Sequence, residues 1–328
     1  MANDVWVYIE HKNGDISPTS FELLGIGKEL ADGFGSQVCA FVIGDKVDDL
    51  AKEAFAYGAS KVFAVEGDVF KGFRGEAYAK AASFLLEKYK PEVALFRGTS
   101  QGVDVSAAAA ANLGFGLCTD SIGLAIDGGK LKMTRAAFGG NFTVSVVNEK
   151  AQPQIATVRP KAFAMPAKDA SKSGEVVKES FSLAEADLNT KVLEFLKSAT
   201  AVNLVEADII VSGGRGLGGE EGFKVLQEFA DVLGGALGAS RAAVDSNWIS
   251  VEHQVGQTGK TVKPKIYIAC GISGAIQHLA GMRTSDCIVA INKDPDAPIF
   301  KAATFGIIGD YKQVVPKLIE KFKGKLGR

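Results

Sequence analysis

Short runs of β-branched and aromatic residues alternate with amphipathic stretches through the first third of the chain. The runs predict strands at residues 5–9, 38–43, 62–65 and 93–96. The stretches between them space their apolar residues at helical intervals and predict helices at residues 21–31, 48–57, 76–89 and 103–113. Because strands and helices alternate, the pattern predicts a parallel sheet wrapped by helices, of the Rossmann-like, nucleotide-binding type.

After Leu117 the pattern changes to short strands joined by tight turns. These strands are predicted at residues 122–126, 131–136, 142–147 and 155–158. With Gly128-Gly129 in the first turn, we expect them to extend the first sheet as antiparallel strands. Residues 161–197 are polar and lose strand periodicity, which indicates a linker over the surface.

The second half of the chain restarts the alternation. Strands are predicted at residues 208–211, 265–269 and 287–291, and helices at 220–233, 274–280 and 314–323. Pro316 is expected in the first turn of the last helix. The fold class is therefore α/β with two domains, residues 1–197 and 198–328, the second being a doubly wound parallel sheet. Its glycines cluster at strand-to-helix turns, where such a sheet holds its ligand.

The composition of the chain argues against several classes of function. Lys and Arg number 37 against 38 Asp and Glu, so there is no basic surface field for a nucleic acid. No apolar run approaches the roughly 20 residues that cross a bilayer, and the N-terminus reads as a strand rather than a leader. We therefore expect a cytoplasmic protein without membrane insertion. The four cysteines have no Cys-x-x-Cys spacing, so no zinc or iron–sulfur site is expected.

A glycine-rich run between the strand at 208–211 and the following helix is the first candidate site. Gly214, Gly216 and Gly219 satisfy G-x-G-x-x-G, a spacing that lets backbone amides approach a phosphate at a helix N-terminus. Arg215 interrupts the run, and no ribose-binding acid ends a strand about 20 residues further on. The alternative is a sharp backbone turn that binds no ligand.

Ser240 and Arg241 form the second candidate, after a turn of small residues. A guanidinium beside a flavin favours the anionic reduced forms, because negative charge develops at the pyrimidine end of the ring. The alternative is a surface arginine paired with Asp245, and composition alone favours that alternative.

A glycine-flanked loop at residues 254–260 is the third candidate. It offers the amides of Gln254 and Gln257 and the hydroxyl of Thr258, which can donate a hydrogen bond to a ring nitrogen. A simple polar turn is an equally good interpretation on local grounds.

The fourth candidate is the buried strand at 265–269 with the turn that follows it. Ser273 is expected as a helix N-cap that invites an anion. His278 is expected about one turn into that helix, and structural and functional roles are evenly balanced for it. Asn292 begins a loop with two carboxylates and two prolines, which indicates a rigid binding loop rather than a metal site. No nucleophile has a recognisable base and orienting group, so no catalytic residue is expected.

Taken together, Ile266-Tyr267-Ile268-Ala269, the run from Gly274 to His278, Gly281 and Ala290-Ile291-Asn292 resemble the alpha subunit of electron-transfer flavoproteins. The resemblance implies FAD bound to the second domain. The residues it places in contact with FAD are Arg215, Ser240, Arg241, Val255, Gly256, Gln257, Thr258, Ser273, Gly274, Ala275, Ile276, Gln277, His278, Asn292 and Asp310.

The resemblance also implies individual roles. Thr258 would face the flavin N5 edge, Arg241 would lie over the ring, and His278 would approach the pyrimidine oxygen. The Ser273 turn would hold the phosphates and ribityl chain together with Asn292. Each role agrees with the chemistry of the residue.

The partners are implied by the same resemblance. The first domain would be a nucleotide-binding fold that has lost its nucleotide, with a vestigial loop at residues 96–102, and it would contact the beta subunit of a heterodimer. The segment from Thr134 to Asn141, with His253, is similar to members that bifurcate electrons. Those take electrons from NADH and deliver them to ferredoxin or flavodoxin and to an acyl-CoA dehydrogenase.

Two other readings compete with the electron carrier. A stand-alone flavin- or nicotinamide-dependent dehydrogenase would have its substrate pocket between the domains. A nucleotide-binding regulatory module would hold ATP or AMP in the first domain.

Overall fold

The chain folds into two compact units in a computed structural model that describes residues 4–12, 14–140, 142–150, 152–194 and 203–327. The first unit comprises Met1–Ala137 and Thr143–Phe195, and the second comprises Phe138–Phe142 and Leu196–Arg328. The boundary predicted between residues 197 and 198 lies outside the described residues. Among the helices in the described ranges, none is both long and apolar enough to cross a bilayer.

The N-terminal half supplies one large sheet and the helices on its two faces. The strands of this half are β1 (Val5–Tyr8), β2 (His11–Lys12), β3 (Asp15–Ile16), β4 (Val38–Gly44), β5 (Lys61–Glu66), β6 (Val93–Arg97), β7 (Leu117–Asp127), β8 (Lys130–Ala137), β9 (Phe142–Val147), β10 (Gln154–Val158) and β11 (Glu175–Glu179). β2 and β3 pair with each other in a separate two-stranded sheet. The helices of this half are α1 (Thr19–Phe34), α2 (Asp48–Ala56), α3 (Gly75–Tyr89) and α4 (Ser100–Leu113).

The order of strands in this sheet is β11-β5-β4-β1-β6-β10-β7-β8-β9. Val5 and Val7 of β1 pack into one core while Trp6 and Tyr8 pack into the other, because successive side chains leave a strand on opposite faces. Both faces of the central strands are therefore buried, which explains their unbroken hydrophobic runs. The predicted parallel sheet wrapped by helices is confirmed.

Two predictions about the sheet are wrong. The strand at 155–158 is not antiparallel, since β10 lies between β6 and β7 and runs parallel to both. It is buried along its length, so it is a central strand and not an extension of the edge. The polar stretch after Lys161 also contains a strand, β11, which pairs with β5 and forms ion pairs from Glu175 to Lys61 and from Lys178 to Glu66.

The two edges of the sheet differ in chemistry. β11 presents alternating charge, whereas β9 is exposed along its whole length and carries Phe142, Val144, Val146 and Val147. The hairpin of β7 and β8 is antiparallel, as predicted.

A buried carboxylate lies at the start of α4, where a nucleotide-binding fold of this type would hold a phosphate. Glu10 follows β1, is 7% exposed and accepts a 2.6 Å hydrogen bond from the guanidinium of Arg97. Its other oxygen accepts from the hydroxyl of Thr99, the residue that caps α4. The anion position at this helix is thus filled by the protein's own side chain.

We expect Glu10→Ala to lower the opening free energy of this region by about 3–5 kcal/mol, because it leaves the buried Arg97 without its carboxylate. Hydrogen exchange of peptides from β6 and α4 measures the change. Asp32→Ala is the matched control, since it removes an exposed ion pair with Lys28 and should cost less than about 0.5 kcal/mol. Equal losses in the two variants would contradict the assignment.

The C-terminal half forms a smaller parallel sheet. Its strands are β12 (Ile209–Gly213), β13 (Ala236–Ala239), β14 (Ile266–Cys270), β15 (Cys287–Asn292) and β16 (Phe305–Ile308), in the order β13-β12-β14-β15-β16. Its helices are α5 (Glu220–Leu233), α6 (Arg241–Asp245), α7 (Ile276–Ala280) and α8 (Tyr311–Leu326). This order reverses direction between β12 and β14, and such a switch point opens a crevice at the carboxyl ends of the strands.

The doubly wound parallel sheet is confirmed, with differences in detail. β13, β16 and α6 were not predicted, because four- and five-residue elements carry too little periodicity. α8 begins at Tyr311, capped by Asp310, so Pro316 lies beyond the first turn. α7 begins at Ile276 with Ala275 as N-cap, and Ser273 is therefore not the cap that was expected.

Candidate functional site

A cleft of about 650 Å³ lies at the carboxyl edge of the second sheet, around the switch point between β12 and β14. Its walls come from the loops that follow β12, β13, β14 and β15 and from the loop at 254–260. The lining residues are Arg215, Gly216, Ser240, Arg241, Ala242, Asp245, Gln254, Val255, Gly256, Gln257, Thr258, Gly271, Ile272, Ser273, Ala275, Gln277, His278, Asn292, Asp294 and Ala297. The volume is within the usual range for small-molecule and cofactor sites.

Glycines allow the loops after β12 and β14 to touch backbone to backbone. A Cβ atom on Gly214 would lie 2.3 Å from the carbonyl oxygen of Gly271, and one on Gly216 would lie 2.7 Å from it. Gly271 itself has a φ of 61°, in the left-handed region. The two loops are joined by hydrogen bonds from Gly214 N to Cys270 O and from Gly216 N to Gly271 O, both 2.9 Å.

Gly214→Ala should destabilise the second unit by about 1–3 kcal/mol, because its Cβ must push the β14 loop away. Gly219→Ala is the matched control from the same glycine motif, since its backbone is extended and no atom lies within 4 Å of an added Cβ. Calorimetric unfolding of both variants tests the difference. A neutral Gly214→Ala would show that the close loop contact is not required.

The same hydrogen bonds change the interpretation of the glycine motif. The amides of Gly214 and Gly216, which a phosphate would need, already donate to the neighbouring loop. The first turn of α5 also carries Glu220 and Glu221, whose charges occupy the positive end of the helix. The glycines therefore serve loop packing, and this turn does not offer a phosphate site.

The turn after β14 has the free donors that the glycine motif lacks. Within the described residues, the amides of Ser273, Gly274 and Ala275 have no hydrogen-bond acceptor. Gly274 has a φ of 91°, and a Cβ there would lie 2.4 Å from Ile299 N. Consecutive unpaired amides of this kind form a concave anion site. The amide of Asn292 braces the turn by donating to Ile272 O at 2.9 Å.

The loop at 254–260 closes on itself against the end of β13. Val255 N donates to Ala239 O at 2.9 Å, and the Gln254 side-chain amide donates to the Thr258 hydroxyl at 3.1 Å. Gln257 N donates to Gln277 O at 2.7 Å, which ties the loop to α7. The loop thus holds Thr258 in the cleft through several independent contacts.

Two cations border the cleft. The exposed Arg241 side chain pairs loosely with Asp245 at 3.4 Å, and Arg215 has no ion pair within the described part of the chain. Ser240 precedes Arg241, and its buried hydroxyl has no hydrogen-bond partner there. Positive charge and an unpaired hydroxyl fit a polyanionic ligand with polar groups.

His278 lines the cleft while its ring is almost fully buried. Its Nε2 atom is 3.0 Å from the hydroxyl of Tyr267, and its buried Nδ1 atom has no partner of good geometry among the described residues. Burial lowers the pKa of His278 to about 4, against a smaller raising effect of the Val255 backbone. The imidazole is therefore neutral at physiological pH.

The second unit should lose stability as pH falls from about 6.5 to about 4. The folded state disfavours protonation of His278 and the unfolded chain does not, so the stabilisation present above the unfolded pKa disappears across this window. The loss from this group should reach roughly 3 kcal/mol. Denaturant titrations followed by Trp248 emission, in a Trp6→Phe background, measure it. His278→Gln should flatten the acid slope, and an unchanged slope would refute the assignment.

Most of the residues predicted from the sequence come together in this cleft. Gly274, Ile276 and Asp310 do not line it: Gly274 packs on Ile299, Ile276 is largely exposed, and Asp310 caps α8 and pairs with Lys293 at 2.9 Å. Sequence reasoning left Gly216, Ala242, Asp245, Gln254, Gly271, Ile272, Asp294 and Ala297 off the list of contacts. Their positions directly after predicted strands or within the quoted loops were the available signal.

The segment from Thr134 to Asn141 is described only as far as Gly140, so Asn141 lies outside the described residues. His253 is buried, with Nδ1 2.7 Å from Leu237 O. That bond is sufficient to explain its place in the fold.

A larger cavity, about 1510 Å³, lies at the carboxyl edge of the first sheet. One wall is the segment around the short 3-10 helix Glu185–Asp187, where Glu185 accepts two hydrogen bonds from Arg74, of 2.7 and 2.8 Å. At the start of α4, on the same edge, Glu10 occupies the position of an anion. The described residues contain no group of three or more His, Cys, Asp or Glu side chains placed to hold a metal.

The second sheet and its cleft define a cofactor-binding α/β protein whose site suits an anionic, dinucleotide-like ligand. Residues 5–184 match the family described as "Electron transfer flavoprotein domain", and residues 203–283 match "Electron transfer flavoprotein FAD-binding domain". The chain belongs to the electron transfer flavoprotein family, as an alpha subunit that binds FAD and carries electrons in a heterodimer with a beta subunit.

Relatives share this assignment over nearly their whole length. The chain is 50% identical to an electron transfer flavoprotein subunit alpha of Thermoanaerobacterium thermosaccharolyticum, with 98% of each chain covered. It is 47% identical to that of Megasphaera elsdenii, covering 98% of this chain and 97% of the relative. Protein FixB of Azotobacter vinelandii is 43% identical, with 99% and 92% covered.

Proposed function

We propose that FAD lies in the cleft at the switch point of the second sheet. The observation that supports this most directly is the set of unpaired donors there, the amides of the turn after β14 and the hydroxyl of Ser240, beside Arg215 and Arg241. The Ser273 turn would bind the diphosphate, and Asn292 would brace that turn. Thr258 would donate to the N5 edge of the flavin.

Arg241 and His278 would stabilise the negative charge that develops on the flavin ring when it is reduced. Arg241 would stabilise negative charge on the reduced ring, and His278, being neutral, would donate a hydrogen bond to the pyrimidine end. The flavin supplies the ability to take up and release single electrons. The chain supplies a site that binds it, orients it and sets its potential.

We further propose that residues 1–197 contact the beta subunit and residues 198–328 form the FAD-binding domain. Electrons would pass between NADH, ferredoxin or flavodoxin and an acyl-CoA dehydrogenase. We also propose a cytoplasmic location for this complex. Bifurcation is supported only by the 134–141 segment and His253, and it depends on the beta subunit.

Arg241→Ala should lower the midpoint potential of the bound flavin by roughly 20–60 mV and reduce the yield of its one-electron reduced form, since 59 mV is tenfold for one electron. Spectroelectrochemical titration measures both. Lys224→Ala removes an exposed cation outside the cleft lining and should change neither. If the flavin potential is the same in the unmutated protein, Arg241→Ala and Lys224→Ala, the proposed role of Arg241 is refuted.

The number of flavins in the purified heterodimer separates the routes of electron transfer. Two FAD per heterodimer would support bifurcation, whereas one FAD with AMP would identify the simple carrier. A heterodimer that is colourless and stays colourless after FAD is added would refute the proposed site. Steady turnover of a small substrate by the isolated chain would instead favour a stand-alone dehydrogenase.

A further inference from the structure

A buried tyrosine lies directly behind the one histidine of the cleft. Tyr267, on β14, has no exposed surface, and its hydroxyl oxygen is 3.0 Å from Nε2 of His278. The two rings meet nearly edge to face, with centroids 6.0 Å apart. The hydroxyl is the part of this side chain that packing alone does not require, because a phenylalanine would fill the same space.

Ser212 is another polar side chain on this face of the sheet. Ile210 of β12 pairs with Tyr267, and Ser212 lies two residues further on, so its side chain is on the same face of the sheet. Burial raises the pKa of Tyr267, so its hydroxyl keeps its hydrogen and can donate it. The buried Ser212 hydroxyl has no hydrogen-bond partner within the described residues, which leaves the Tyr267 hydroxyl with His278 as its partner.

The direction of these hydrogens decides which nitrogen of His278 carries a proton. A neutral imidazole has one N–H, and the other nitrogen is an acceptor. Within the described residues, the Tyr267 hydroxyl makes one hydrogen bond, with Nε2 of His278, so its hydrogen points to that nitrogen. Nε2 must then be bare, and the N–H is on Nδ1.

We propose that Tyr267 is a positioning residue that fixes His278 as the Nδ1–H tautomer, so that the histidine offers a hydrogen-bond donor to the cofactor. The buried, unpartnered Nδ1 atom on a cleft-lining side chain is the observation that points to a ligand. This inference rests on the proposed FAD site. A donor at this position favours reduction, because negative charge grows on the pyrimidine edge.

Tyr267→Phe tests the inference, since it removes one oxygen and keeps the ring. The chain has three histidines, so ¹⁵N spectra of the heterodimer with a labelled alpha chain are simple to assign with a His278→Gln reference. We expect the ratio of Nδ1–H to Nε2–H at His278 to fall about fivefold, the effect of one lost hydrogen bond. The flavin potential should fall as well.

Tyr311→Phe is the matched control. Tyr311 is a buried tyrosine of the same unit whose hydroxyl donates to Leu217 O at 2.9 Å, away from the cleft lining. It should leave both the tautomer ratio and the potential unchanged.

An unchanged tautomer ratio in Tyr267→Phe would overturn the inference while leaving FAD binding intact. Equal shifts in Tyr267→Phe and Tyr311→Phe would also overturn it, because they would reflect general loosening. If the unmutated heterodimer binds no FAD, the proposed function fails. The tautomer ratio measured without FAD would then still decide whether Tyr267 orients His278.

Discussion

The cleft depends on one contact, the approach of two loop backbones that only glycine permits. Gly214 and Gly216 pack against Gly271 at distances that leave no room for a side chain. This contact ties the ends of β12 and β14 together at the switch point of the sheet. The turn after β14 is thereby held with its amides unpaired, and the positions of Ser273 and His278 follow from it.

The same contact shows why a sequence motif can be present while its usual chemistry is absent. The G-x-G-x-x-G spacing is real, but its amides are used in packing and Glu220 follows where a phosphate would be drawn. The first unit makes the same point differently, because Glu10 fills the anion position at α4. Each unit has a helix N-terminus at which an anion could bind. In both units the neighbouring carboxylates make binding of an external anion less favourable there.

The sequence predicted the architecture well where periodicity was long and poorly where it was short. The alternation of strands and helices from Val5 to Leu113 was enough to predict the parallel sheet. The rule that such sheets bind ligands at the carboxyl ends of their strands located most of the cleft residues. β10 was misassigned because a short apolar run does not reveal which neighbours it pairs with. β11 was missed because its two valines are surrounded by charge, and its pairing is made by backbone atoms. Asp310 and Ile276 were named as FAD contacts by resemblance. Asp310 caps α8 and Ile276 is largely exposed, so their contact with FAD stays a prediction.

The exposed strand β9 affects the tendency of the protein to self-associate. A sheet edge with unpaired backbone groups and apolar side chains on both faces is a template for self-association. The opposite edge strand, β11, carries charged residues that disfavour edge-to-edge association, so only the β9 edge is prone to it. Because edge-to-edge pairing of two copies is bimolecular, a chain built this way should become more prone to self-association as its concentration rises.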